Sequence, residues 1–128
     1  SINVIATGEP RPPEARAAAA AWRAAGQGTG SVDAPLQDVD VWIDALFGIG
    51  LSRAPEPATA ALMQAVTAQR RPVLALDVPS GIDADTGAAP GAFLPASMTL
   101  CFIAAKRGLF TATGREAAGE VRVDALGL

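Results

Sequence analysis

The sequence predicts an α/β fold in which a mostly parallel sheet carries helices on both sides. Two observations predict it. Short β-like runs alternate with helical stretches along the chain, and that order implies crossover connections between parallel strands. The strand candidates are also unbroken apolar runs rather than alternating ones, as expected of parallel strands covered on both faces.

Ile2-Asn3-Val4-Ile5-Ala6 reads as the first short strand. Pro12 and Pro13 suit the first turn of a helix that runs through Glu14-Ala15-Arg16-Ala17 to Ala25, with Gly26 as its stop. Gly26 to Gly30 reads as a flexible connection. Val39-Asp40-Val41-Trp42-Ile43 is a second strand ending at Asp44. Pro55 and Pro57 precede a helix from Ala58 to Gln69, whose Ala61, Leu62, Ala65 and Val66 share one face, and Pro72 closes it. Val73-Leu74-Ala75-Leu76 is a third strand, ending at Asp77. Ser97 to Ile103 and Glu120 to Val123 read as two more, with turns between them.

The 128 residues suit a single domain. No apolar run approaches the ~20 residues of a membrane span, and no secretory leader opens the chain. The chain has no initiating Met and enters an apolar run at Ile2, so residues 1–128 are expected to be cut from a larger protein. A net charge of −3 argues against nucleic acid as a partner, because a phosphate-binding surface is basic. Arg70-Arg71 and Lys106-Arg107 are the nearest approach to a basic patch.

The one cysteine, Cys101, allows no internal disulfide and fits a reducing, cytoplasmic setting. Its apolar surroundings, Met98-Thr99-Leu100-Cys101-Phe102-Ile103, mark it as a buried inert thiol. The absence of histidine excludes Ser-His-Asp and Cys-His nucleophile pairs and imidazole-based zinc sites. Acid–base chemistry must then rest on carboxylates, with Lys106 and Cys101 as weaker candidates.

Ligands of open parallel sheets bind beyond the carboxyl ends of the strands. Two segments arrive there alike, each with an apolar run, an aspartate and a glycine-containing turn. They are Val41-Trp42-Ile43-Asp44-Ala45-Leu46-Phe47-Gly48-Ile49-Gly50 and Val73-Leu74-Ala75-Leu76-Asp77-Val78-Pro79-Ser80-Gly81-Ile82-Asp83. Asp44 and Asp77 are thus expected at the mouth of one crevice, where two carboxylates can split their pKa values or jointly hold a hard cation. The plainer alternative is that each caps a turn or the following helix. Gly48-Ile49-Gly50 can bring backbone N–H groups to a phosphate with Arg53 nearby, or simply mark a tight turn. Asp83 and Asp85 are too few and too closely spaced for a calcium loop, and read as a solvated turn.

These two segments together, followed by Thr99-Leu100-Cys101-Phe102, Ala105-Lys106-Arg107-Gly108-Leu109 and Gly119-Glu120-Val121-Arg122-Val123, resemble the NAD(P)H-hydrate epimerases over nearly the whole chain. The most specific part is Asp-x-Pro-Ser-Gly-x-Asp-x-Asp-x-Gly from Asp77 to Gly87. The resemblance implies a three-layer αβα Rossmann-like fold and interconversion of the R and S forms of hydrated NADH and NADPH. An S-specific dehydratase, fused or separate, then restores the cofactor. By position, Asp44 and Ser80 correspond to potassium ligands. Gly48, Ile49, Gly50, Leu51, Ser52, Arg53 and Ala54 correspond to a substrate-contacting loop, and Asp77 to a residue that binds the damaged nucleotide.

The family also carries an Asn-Asn-Gly-Gly-Asp loop before the strand matching Ile2 to Ala6, which supplies nucleotide contacts and a further potassium ligand. It is not in this sequence. The domain is therefore expected to be incomplete at its N-terminus and impaired in turnover, with an open sheet edge that favours self-association as a homodimer. Asp77 is the expected general acid/base. Two other readings stand beside this one. A binding or protein-interaction module would bind nucleotide without turning it over. A small-molecule kinase relative would need a phosphate-transfer motif, and no Walker A loop or complete G-x-G-x-x-G occurs.

Overall fold

The computed structural model describes residues 2–51 and 53–128. It divides into two units, Ser1–Pro35 and Leu36–Leu128. Every strand pairing in it is parallel, so the α/β class with parallel strands is the fold this chain adopts.

In the first unit, β1 (Val4–Ala6) pairs in parallel with β2 (Thr29–Ser31) across the helix α1 (Pro13–Ala24). Pro12 sits at the N-cap and Pro13 at the first helical position, where a missing N–H costs nothing. Glu14 in the first turn and Arg23 in the last complement the helix dipole. Gly26, at φ 75°, ends the helix, as the sequence predicts. β2 lies inside the stretch expected to be a flexible connection. Thr29-Gly30-Ser31 has no apolar side chain to announce a strand, and only its pairing with Val4–Ala6 defines it.

In the second unit, β3 (Trp42–Asp44), β4 (Val73–Leu76), β5 (Met98–Phe102) and β6 (Glu120–Asp124) form one parallel sheet in chain order. Between β3 and β4 runs α2 (Pro57–Ala68), which buries Thr59, Leu62, Met63 and Val66. The buried face is thus rotated from the expected one: Ala61 and Ala65 are exposed, and the larger Met63 takes their place at 0% exposure. Volume decides, since Met removes far more apolar surface from water than Ala.

Double coverage of the strands is only partly realised. Val73 and Ala75 of β4 and Cys101 of β5 are buried, whereas Ile43 of the edge strand β3 stays 61% exposed. The main core joins Val78, Ile82, Ala84, Cys101 and Leu109 with Ala117 and Ala118. It depends on two elements expected only as turns, a 3-10 turn over Arg107–Phe110 and the short helix α3 (Ala112–Ala117).

Candidate functional site

The parallel register puts Asp44 opposite Ala75, so β3 and β4 end side by side and point the same way. Asp44 is the last residue of β3, and Asp77 follows the last residue of β4. Both aspartates therefore stand at the carboxyl edge of the sheet, as the sequence predicts.

Asp44 is 3% exposed and held entirely by hydrogen bonds. The Ser80 hydroxyl donates to its Oδ1 at 2.6 Å, and the Ser80 amide donates to its Oδ2 at 2.8 Å. The Leu46 amide adds a longer bond to Oδ1 at 3.3 Å. Burial pushes the Asp44 carboxyl above its usual range, and the bonds from Ser80 and Leu46 oppose that push. Among the described residues Asp44 has no cationic partner. The Ser80 hydroxyl in turn accepts the Phe47 amide at 3.0 Å, which ties the loop after β3 to the loop after β4. Gly81 makes this turn possible. It lies at φ 95°, and a Cβ there would fall 2.3 Å from the Ala92 carbonyl.

Asp77 adopts φ 72°, a left-handed conformation that aspartate tolerates better than most residues. Its amide donates to the Leu100 carbonyl at 2.8 Å. Its Oδ1 accepts the Phe102 amide at 3.2 Å and the Lys106 ammonium. Its Oδ2 has no hydrogen-bond partner among the described residues. Asp77 and Lys106 side chains are each 20% exposed, so the pair is neither sealed nor freely hydrated. Sequence reasoning named both residues but not their pairing. They are far apart in the chain, and the left-handed turn that joins them leaves no periodic trace.

Gly48, Ile49, Gly50 and Leu51 lie in the loop after β3, and Arg53 and Ala54 precede α2. A Cβ at Gly48 or Gly50 would meet nothing within 4 Å, so internal packing does not require glycine at either position. Arg53 is exposed, and its guanidinium lies 3.9 Å from Glu56. Ser52 falls outside the described residues. The Asp83 loop is a hydrogen-bonded turn, in which Oδ1 accepts the Asp85 and Thr86 amides at 3.0 and 2.7 Å. No cluster of three acidic, histidine or cysteine side chains able to hold a metal occurs among the described residues. Cys101 is buried, and burial raises its thiol above the usual range, as suits an inert core residue.

Comparison with known proteins gives a consistent answer. The family model described as "YjeF-related protein N-terminus" matches residues 1–108. The chain is 40% identical over 124 residues to the bifunctional NAD(P)H-hydrate repair enzyme Nnr of Escherichia coli, covering 94% of this chain and 24% of that protein. It is 48% identical over 118 residues to the NAD(P)H-hydrate epimerase of Achromobacter xylosoxidans, covering 91% of this chain and 57% of that one. For the NAD(P)H-hydrate epimerase of Limosilactobacillus fermentum the identity is 48% over 88 residues, or 69% and 42% of the two chains. The chain thus spans between about a quarter and somewhat over half of these relatives' lengths. The carboxyl-edge aspartates and the turn that links them lie within the matched residues, and the chain belongs to the YjeF-related protein N-terminus family.

Proposed function

We propose that this chain provides the epimerase activity of nicotinamide-nucleotide repair, interconverting the R and S forms of hydrated NADH and NADPH. The relatives' names supply the substrate class. The observation that carries the chemistry is Asp77, a half-sheltered carboxylate with one oxygen anchored and the other unengaged at the ligand-binding edge of the sheet.

Inverting the hydrated carbon requires loss of its hydroxyl through a planar cation, followed by return of water to the opposite face. Once its free Oδ2 has taken a proton from solvent, the Asp77 carboxyl gives that proton to the departing hydroxyl and later takes one back from the incoming water, which closes the cycle. Its charge favours the cation that forms between those steps. The open surroundings of Gly48 and Gly50 leave their backbone N–H groups free to approach the nucleotide. Asp44 and Ser80 suit a potassium ion. Their donor atoms are all oxygen, the carboxylate is buried without a cation beside it, and Ser80 retains an unused lone pair. The ion would balance the charge of Asp44 and shape the loops.

The bifunctional relatives favour an S-specific dehydratase, fused or separate, as the next enzyme. No helix among the described residues is long and apolar enough to cross a membrane. The buried free thiol favours a cytoplasmic setting.

The test supplies pure R epimer to the protein and follows the S epimer by chromatography, in potassium and in tetramethylammonium buffers. Equilibration above the spontaneous rate, faster with potassium, is expected. Tight binding of the hydrate without faster equilibration would replace the enzyme by a binding module. Indifference to potassium would remove the role given to Asp44 and Ser80.

A further inference from the structure

The Asp77–Lys106 pair holds more than the proposed chemistry uses. An ammonium has three N–H donors. Those of Lys106 go to Asp77 Oδ1, to the Phe102 carbonyl at 2.8 Å and to the Ala104 carbonyl at 3.1 Å. With all three committed, Lys106 cannot hand a proton to a ligand without dismantling its own support. Its influence must pass through Asp77.

The backbone around it points the same way. Ile103, directly after β5, lies at φ 69°, although left-handed geometry is a genuine outlier for a β-branched residue. Core packing does not impose this, since Ile103 is 60% exposed. The bend does arch residues 102–104, with the Ala104 amide bonded to the Phe102 carbonyl at 2.8 Å, so that two carbonyls converge on one ammonium. Strained residues of this kind persist where the surrounding structure over-determines them, and they gather at functional sites. On its other side Lys106 leads into the 3-10 turn, whose Gly108 and Leu109 are buried. Both ends of the lysine's segment are therefore fixed. Cys101 also faces the pair, and its thiol donates to the Asp77 carbonyl at 3.4 Å.

We propose that Lys106 is the positioning residue of this site, clamping Asp77 through Oδ1 so that Oδ2 alone meets the nicotinamide hydrate. The assignment rests on the epimerase reading for its substrate, but the clamp itself is a statement about geometry.

The experiment compares the protein with its Lys106→Met, Asp77→Asn and doubly substituted forms. Methionine preserves the length of the stem and removes the charge and donors. Lys106→Gln serves if that variant does not fold. A displacement of about 1 Å in a reacting group can cost on the order of 100-fold in rate. Lys106→Met is accordingly expected to lower kcat by about 10- to 100-fold and to leave KM within about 3-fold. In the Asp77→Asn background the same change should cost less than about 2-fold, because there is no carboxylate left to position. Equal losses in both backgrounds would overturn the proposal, since Lys106 would then act independently of Asp77. A crystal structure of the Lys106 variant decides the point without turnover. Asp77 Oδ1 should have left the Phe102 amide, and an unchanged carboxylate would overturn the clamp even if the epimerase reading stood. Absence of turnover in the unsubstituted protein would defeat the epimerase reading alone, leaving the clamp to be judged on that structure.

Discussion

A carboxylate can be read from a sequence far more easily than its neighbours can. Asp44 and Asp77 were legible because an apolar run ending in Asp before a glycine turn places the side chain at the carboxyl edge of a parallel sheet. What they touch was not legible. Ser80 reaches Asp44 through both its hydroxyl and its amide, an arrangement set by the turn at Gly81 rather than by any periodic pattern. Asp83 shows the opposite outcome, since Asp83 and Asp85 read as a solvated turn and the structure has a hydrogen-bonded turn there. The Thr86 amide, followed by the Thr86 hydroxyl, holds its carboxyl below the usual range. A depressed folded pKa contributes stability that is present above the unfolded value, ~4, and is lost as pH falls through the folded one. Asp83→Ala should therefore lower Tm most from neutral pH down to about pH 4, and progressively less below it. Thermal melts at stepped pH check this, and a constant gap down to pH 2 would contradict it.

At the scale of elements, every strand but β2 and the two longer helices were visible, and the region between β5 and β6 was not. That stretch was expected to hold only turns, yet it carries a 3-10 turn and α3. Gly108 and Gly114 are there for close approach. The Gly114 amide donates to the Gly87 carbonyl at 2.8 Å, and the Gly108 amide donates to the Ala84 carbonyl at 2.7 Å. A Cβ at Gly114 would lie 2.0 Å from the Gly108 carbonyl oxygen. Gly→Ala inside a helix ordinarily gains up to about 1 kcal/mol. Here the clash should reverse the sign, and Gly114→Ala is expected to cost about 1–3 kcal/mol or more by chemical denaturation. A neutral or stabilising effect would mean that the three backbones are not packed as described. β2 escaped notice for a different reason, because a strand of Thr, Gly and Ser is defined by its partner alone.

For the molecule as a whole, every buried apolar side chain among the described residues falls between Leu62 and Ala118. The unit Leu36–Leu128 thus contains the core, together with Asp44, Asp77, Ser80 and Lys106. Expressed alone, residues 36–128 should unfold cooperatively when followed by circular dichroism. A gradual, baseline-like melt would show that the core needs residues 1–35. The parallel sheet also determines how this chain must fold. No pairing in it is a hairpin: Trp42 must find Val73, Leu74 must find Met98, and Met98 must find Glu120. Each search closes a loop of similar length, and the logarithmic cost of closure separates them by only about 0.3 kcal/mol. Loop entropy therefore does not rank the pairings, and the apolar surface each one buries does. That favours the join of β4 to β5, the two central strands, which carry the buried Val73, Ala75 and Cys101. With no local contact to seed it, the sheet belongs among the slower-folding topologies, and its strands wait unpaired, open to other chains, until that central join is made.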